Sequence, residues 1–183
     1  LYTAAAELKK NGDIIDEVTT KFGCRSYYFD PEKGFFLNGE SYPLRGVSRH
    51  QDRMGVGNAL TKEMHEEDME LILSVGANSI RLAHYQHDQY FYDLCDEKGI
   101  VAWAEIPYIT VHMDGGRENT ISQMKELIVQ NYNHASIICW AISNEISLQG
   151  VTEDLLENHR ILNDMIHRMD QSRVSAMANL FML

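Results

Sequence analysis

The chain has 183 residues, 44% of them hydrophobic, with 12 glycines and 3 prolines, which excludes a disordered or collagen-like chain. Its formal net charge of −11 argues against nucleic acid and anionic membrane surfaces as partners, and no apolar run approaches membrane-spanning length. Three widely spaced cysteines, Cys24, Cys95 and Cys139, form no CxxC pair, so neither a disulfide framework nor a zinc site is expected. The chain starts at Leu1 without a signal-like segment, so it reads as a cut-out of something longer, and the residues leave the compartment undetermined.

Residues 1–30 read as β-structure: Ile14, Ile15, Val18 and Phe22 lie among polar residues, and CRSYYF follows as an aromatic, strand-forming run. The segment is too short for a core of its own and is expected to finish a sandwich begun upstream. Asp30-Pro31-Glu32-Lys33-Gly34 is a turn-rich break that places a domain boundary at 33/34. FFLNGESYPL then pairs two short apolar runs around Asn38-Gly39, a strong hairpin signal.

From residue 44 onward strands and helices alternate. Leu44 to Val47 is a short strand, and residues 62–75 form a helix closed at Gly76. Ser79 to Leu82 is a strand, and Asp88 caps a helix that Gly99 ends. Ile100 to Ala104 is the third strand and a helix covers about 119–133. Ile137 to Ile142 is the fourth strand, Thr152 opens the next helix, and a fifth strand begins near Val174.

Repeated βα units imply a parallel sheet, either an open doubly wound one or a (β/α)8 barrel. No Gly-rich phosphate loop follows a strand, which weakens the doubly wound, nucleotide-binding version. Polar residues cluster instead after successive strands, at Arg49/His50/Asp52, His84/Tyr85, Glu105 and Asn144/Glu145. In a barrel these strand ends converge on one mouth, where such folds place their chemistry. The barrel is the expected architecture, with about its first four and a half units present.

Glu145 ends an apolar run, CWAISNE. It reads either as an acid helping to cap the segment at 150–153 or as a general acid whose partly apolar surroundings suit proton donation, with Asn144 beside it for substrate. Trp140 reads as core. His50 and His84 follow strands at equivalent positions, near Arg81 and Tyr85, which fits a sugar-sized polar pocket; each could equally be a hydrogen-bonded structural histidine. Glu105 fits a metal ligand, a substrate contact or a buried partner of Arg81. His65, His87, His134, His159 and His167 show no ligand pattern, and the acidic string from Glu63 to Glu70 reads as a solvated helix face.

Several stretches together carry a family resemblance. Asn78-Ser79-Ile80-Arg81-Leu82-Ala83-His84-Tyr85, with Asp96 and Gly99-Ile100-Val101, resembles the first signature of glycoside hydrolase family 2. Asn133-His134-Ala135-Ser136-Ile137-Ile138-Cys139-Trp140, ending in Asn144-Glu145, resembles its acid/base signature. LRGVSRHQDR and WAEIPY are also similar to this family, in the wording of its bacterial β-galactosidases. The match runs over residues 35–183. It implies a TIM barrel preceded, over residues 1–33, by the closing strands of an immunoglobulin-like sandwich.

By that resemblance the activity is retaining hydrolysis of terminal β-galactosides. Glu145 is the acid/base; Asn144, His50 and His84 contact substrate; Arg81 and Tyr85 support the same motif; Glu105 lies near the pocket. The alternatives are a β-glucuronidase or β-mannosidase of the same family, or a non-catalytic carbohydrate-binding piece. Gln86 stands where the signature has proline, and Ala141 where it has serine or glycine, departures that touch loop shape more than chemistry. No cofactor is required. Magnesium occurs in some members through a Glu and a His after the third strand, but here IPYITVH lacks the matching acid. The resemblance implies a bacterial enzyme of the cytoplasm or periplasm. It also places the nucleophile after a later strand, so this chain alone is expected to be inactive, and open strand edges invite homo-oligomers.

Overall fold

The computed structural model describes residues 1–179. Its contacts fall into two compact units, Leu1–Pro43 with Asn133–Ala135, and Leu44–Tyr132 with the residues from Ser136 onward. In the first unit, β1 (Tyr2–Lys10) and β2 (Asp13–Phe22) form an antiparallel hairpin with every residue exposed. Asn11 and Gly12 turn it with φ of 54° and 95°, the two positive values that a tight hairpin turn requires. β3 (Tyr27–Asp30), β4 (Gly34–Leu37) and β5 (Glu40–Ser41) make a second antiparallel sheet, stapled by Tyr28 stacked on Phe36 at 4.7 Å. The strand pair around Asn38-Gly39 therefore packs with Tyr27–Asp30, and the break in contacts follows Pro43 instead of the turn at Asp30–Gly34.

The second unit alternates strictly: β6 (Gly46–Arg49), α1 (Lys62–Ser74), β7 (Ser79–Leu82), α2 (Gln89–Lys98), β8 (Val101–Glu105), α3 (Arg117–Asn131), β9 (Ile137–Asn144), α4 (Glu153–Met169) and β10 (Val174–Ala178). All neighbouring strands pair in parallel, in the order β10-β9-β8-β7-β6. That order follows the sequence without reversal. A doubly wound sheet must reverse at its switch point, so the unit is an arc of a parallel α/β barrel.

Local chemistry sets the element limits. Thr61, Asp88 and Thr152 each accept a backbone N–H of the following helix through their side chains. Gly99 ends α2 in the left-handed conformation at φ 69°. α3 starts earlier than the apolar periodicity suggests because its first residues, Arg117 and Glu118, are polar, and Gly116 before them offers no capping side chain. The first barrel strand likewise starts at Gly46 instead of Leu44. Any continuation of the fifth strand beyond residue 179 lies outside the described residues. Among those described, no helix is long and apolar enough to cross a membrane.

β9 is buried along all eight residues, as expected of a barrel strand covered on both faces. Trp140 in it is 0% exposed, and its indole N–H donates to Asp170 Oδ2 at 2.9 Å. Arg173 donates to the same carboxylate at 2.7 Å and to the carbonyls of Ile137 and Tyr132, at 2.9 Å each. This knot joins the end of α4 to the base of β9. Burial alone would raise the Asp170 pKa, but hydrogen bonds from Ser172, Arg173 and Trp140 outweigh it and hold the carboxyl down at about 2.

A carboxyl whose pKa is depressed in the folded state adds stability above its unfolded value, and that stability is lost as pH falls toward the folded value. Asp170→Asn is expected to cost about 3 kcal/mol near neutral pH, because it strands Arg173 in the core. In urea unfolding, roughly half of the ionised carboxylate's advantage over the asparagine should disappear by about pH 3. An advantage independent of pH would contradict the assignment.

Candidate active site

Strand parity sorts the candidate residues. Arg49, Leu82 and Ala104 are successive register partners across β6, β7 and β8, and Leu82 and Ala104 are fully buried against the helices. Ser48, Arg81 and Trp103 are partners one position earlier and so occupy the opposite face, with Glu105 following on the same side. Arg49 is thus separated from the polar group it neighbours in sequence. Its guanidinium pairs with Asp68 of α1 at 2.7 Å.

On the barrel-interior face Glu105 is the hub, at 1% exposure. Arg81 approaches it in bidentate fashion, Nε to Oε1 at 3.1 Å and Nη2 to Oε2 at 3.0 Å, and the Trp103 indole N–H donates from 3.4 Å. Arg81 Nη2 also donates to Asn144 Oδ1 at 2.5 Å. The two protons of Nη2 are thereby used, which leaves the His84 Nδ1–H to donate to Glu105 Oε1 at 3.2 Å. Arg81 Nη2 lies at the same 3.2 Å from His84 Nδ1, but both its protons are committed, so the Nδ1–H is assigned to Glu105. His50 meets His84 edge to face at 4.8 Å, and Tyr85 lies 6.4 Å from His50 and accepts the Gln51 N–H through its hydroxyl. The site residues expected from the sequence on β6, β7 and β8 therefore join one network or its rim.

Asn144 and Glu145 end β9. Asn144 is 6% exposed, and its N–H donates to Tyr108 O while its carbonyl accepts the Thr110 N–H, both at 3.0 Å. Glu145 leaves the strand with φ 51° and donates its N–H to Ala178 O at the end of β10. Besides two turn asparagines, Thr110 and Glu145 are the non-glycine residues with positive φ among those described, and both flank Asn144. Non-glycine residues adopt this backbone only where surrounding structure enforces it. Glu145 does not cap α4, because Thr152 Oγ1 does so at 3.1 Å from Leu155 N. The half-buried Glu145 carboxylate has no internal hydrogen bond or ion pair among the described residues. Glu105 is saturated with donors, whereas the Glu145 carboxylate is partly exposed.

Tyr108 and His112 were not among the candidates read from sequence. The Tyr108 hydroxyl meets His112 Nδ1 at 2.5 Å, and His112 Nε2 meets Asp154 Oδ2 at 2.6 Å. The Tyr108 ring also lies 5.8 Å from that of His159, whose Nε2 accepts the Ser143 hydroxyl at 2.7 Å. Tyr108 therefore braces Ser143–Asn144 through both its backbone and its ring. The WAEIPY stretch contained the only sequence signal for it. Trp140 is core, as read.

His112 is committed to Tyr108 and Asp154, and the segment Ile106–His112 offers no acid. Among the described residues no three His, Cys, Asp or Glu side chains are grouped to hold a metal ion. The residues present do not fit the magnesium site of the resembling family.

Comparison with known proteins bears on the family of this chain. Residues 31–179 match the family model described as glycosyl hydrolases family 2, TIM barrel domain. A β-glucuronidase of Bacteroides fragilis is 46% identical over 98% of this chain and 27% of its own. A β-galactosidase of Thermoanaerobacter pseudethanolicus is 31% identical over 94% of this chain and 23% of its own. The crystal structure of an FMN-binding β-glucuronidase from Facaelibacterium prausnitzii L2-6 superimposes with a TM-score of 0.92 at 48% identity, covering 97% of this chain and 28% of that one. The chain thus spans about a quarter of the length of these relatives.

Glu105→Gln keeps the shape but turns an amide N–H2 toward Arg81, and the charge-assisted bonds are lost. Urea unfolding should register a loss of about 2 kcal/mol, while a loss below about 0.5 kcal/mol would show that Glu105 is not the hub.

Proposed function

We propose that this chain, which belongs to glycosyl hydrolase family 2, carries the acid/base and part of the sugar-binding wall of a retaining β-glycosidase. The observation that carries the reading is the contrast between the two strand-end carboxylates. Glu105 is locked by Arg81, His84 and Trp103, whereas Glu145, next to Asn144, is half-buried without a partner among the described residues. A group that must give and then recover a proton needs that freedom.

In this role Glu145 protonates the glycosidic oxygen as the bond to the leaving group breaks, then removes a proton from the water that releases the sugar. A retaining mechanism needs a second carboxylate about 5–5.5 Å away to form the glycosyl-enzyme, and no residue of this chain is assigned that role. Arg81 occupies the Asn144 amide oxygen, so the amide N–H2 is the group presented to a sugar hydroxyl. His84 offers Nε2 as an acceptor, and His50 and Tyr85 extend the wall. Arg81 and Glu105 hold the wall in place. The strands up to Pro43 are assigned to the end of an immunoglobulin-like sandwich, and the alternating unit from Leu44 to the first half of the catalytic barrel.

For the sugar, β-glucuronide is the favoured reading over the β-galactoside suggested by the motif wording. The relatives at 46% and 48% identity are named β-glucuronidases, whereas a putative β-galactosidase of Bacteroides fragilis stands at 40% and the Thermoanaerobacter β-galactosidase at 31%. The test uses the protein as its gene encodes it, assayed on 4-nitrophenyl β-glucuronide and β-galactoside. The glucuronide should show the higher kcat/KM, and Glu145→Gln should lower kcat by about 100-fold or more. A preference for the galactoside would restore the other sugar, and near-full activity in Glu145→Gln would remove Glu145 from the mechanism.

A further inference from the structure

We propose that Arg49, on the helix-facing side of the sheet, is the positioning residue for the His50–His84–Tyr85 wall, acting through a buried neutral His87 held in a single tautomer. The proposal rests on the assignment of that wall to sugar binding. Arg49 is 7% exposed, with Phe91 3.9 Å beneath its guanidinium carbon. Its Nε and Nη2 donate to Asp68 Oδ2 at 3.0 and 2.7 Å. Nη2 also reaches His65 Nδ1 and Nη1 reaches His87 Nδ1, each at 3.0 Å.

A guanidinium can only donate, so both Nδ1 atoms must present lone pairs. Both imidazoles are therefore protonated on Nε2 alone. The His87 Nε2–H completes the arrangement by donating to Ala83 O at 3.1 Å, while Ala83 N donates back to Arg49 O at 2.9 Å. The closed loop Arg49–His87–Ala83 ends on the residues that immediately precede His50 and His84. The His87 ring also lies 5.3 Å from Tyr85, which faces His50 in turn. Every member of the wall is thus reached from one guanidinium.

The charge environment agrees with a neutral His87. Burial pushes its pKa down to about 3, and Arg49, His50 and His65 disfavour the cation further. Asp68 is taken up by Arg49 and Arg53, and the Tyr92 hydroxyl accepts the His87 backbone N–H at 3.4 Å. His84, three residues away, faces both the Glu105 carboxylate and Arg81 at 3.2 Å, whereas His87 meets an arginine alone.

The experiment is histidine 15N spectroscopy on the ligand-free protein together with steady-state kinetics on 4-nitrophenyl β-glucuronide. His87 should show an unprotonated Nδ1 and a protonated Nε2 throughout about pH 5 to 8, and His65 the same tautomer near about pH 8. Arg49→Lys keeps the charge but cannot serve a carboxylate and two imidazoles at once. It should raise KM about tenfold with kcat within about twofold, and Arg49→Met should do the same. A protonated Nδ1 on His87, or an unchanged KM in Arg49→Lys, would overturn the proposal. If the variants do not fold, the wild-type spectrum decides it. Failure of the family reading would appear separately, as Glu145→Gln activity with the histidine spectrum intact.

Discussion

The bidentate pairing of Arg81 with Glu105 is the constraint on which the mouth of the barrel depends. It crosses from β7 to β8, and the second Nη2 proton reaches β9 at Asn144. A carboxylate at 1% exposure is tolerable only when fully paired, since an isolated buried charge is costly and breaking the pair strands the partner. The cost of burying Glu105 therefore enforces the geometry of three strand ends. Asn144, held by its amide and by Tyr108 and Thr110, delivers the next residue, Glu145, in a left-handed turn.

The sheet separates chemistry by parity. On the helix side, Arg49, His65 and His87 are buried and joined to one another and to the partly exposed Asp68. On the interior side, Glu105 is satisfied, while the partly exposed Glu145 carboxylate has no hydrogen bond or ion pair among the described residues. A site built this way has a rigid backing and an unsatisfied front.

Much of this was legible in the residues. Thr61, Asp88, Thr152 and Gly99 announce helix limits by local chemistry, and the uninterrupted apolar run of β9 announces a strand covered on both faces. The polar clusters after each strand located the mouth. Other features depend on register or on loops. Arg49 sits next to His50 in sequence, yet one step along a strand carries a side chain to the other face. His65, His87 and His159 show no ligand spacing because they serve as acceptors for an arginine or a serine from other elements. Tyr108 and His112 act through a loop whose path no periodicity encodes. The hairpin at Asn38-Gly39 was legible as a hairpin, but its allegiance to Tyr27–Asp30 depends on aromatic stacking across strands.

The central claim is that Glu145 supplies a proton to the leaving group, and its most direct test is leaving-group dependence. Glycosides of strongly acidic phenols need little protonation, whereas alkyl glycosides need it fully. In Glu145→Gln the account predicts a loss of kcat/KM of about 100-fold or more on an alkyl β-glycoside of the preferred sugar. On the dinitrophenyl glycoside of that sugar the loss should be smaller by about tenfold or more. Equal losses on both substrates would contradict the account and assign Glu145 a role other than proton donor.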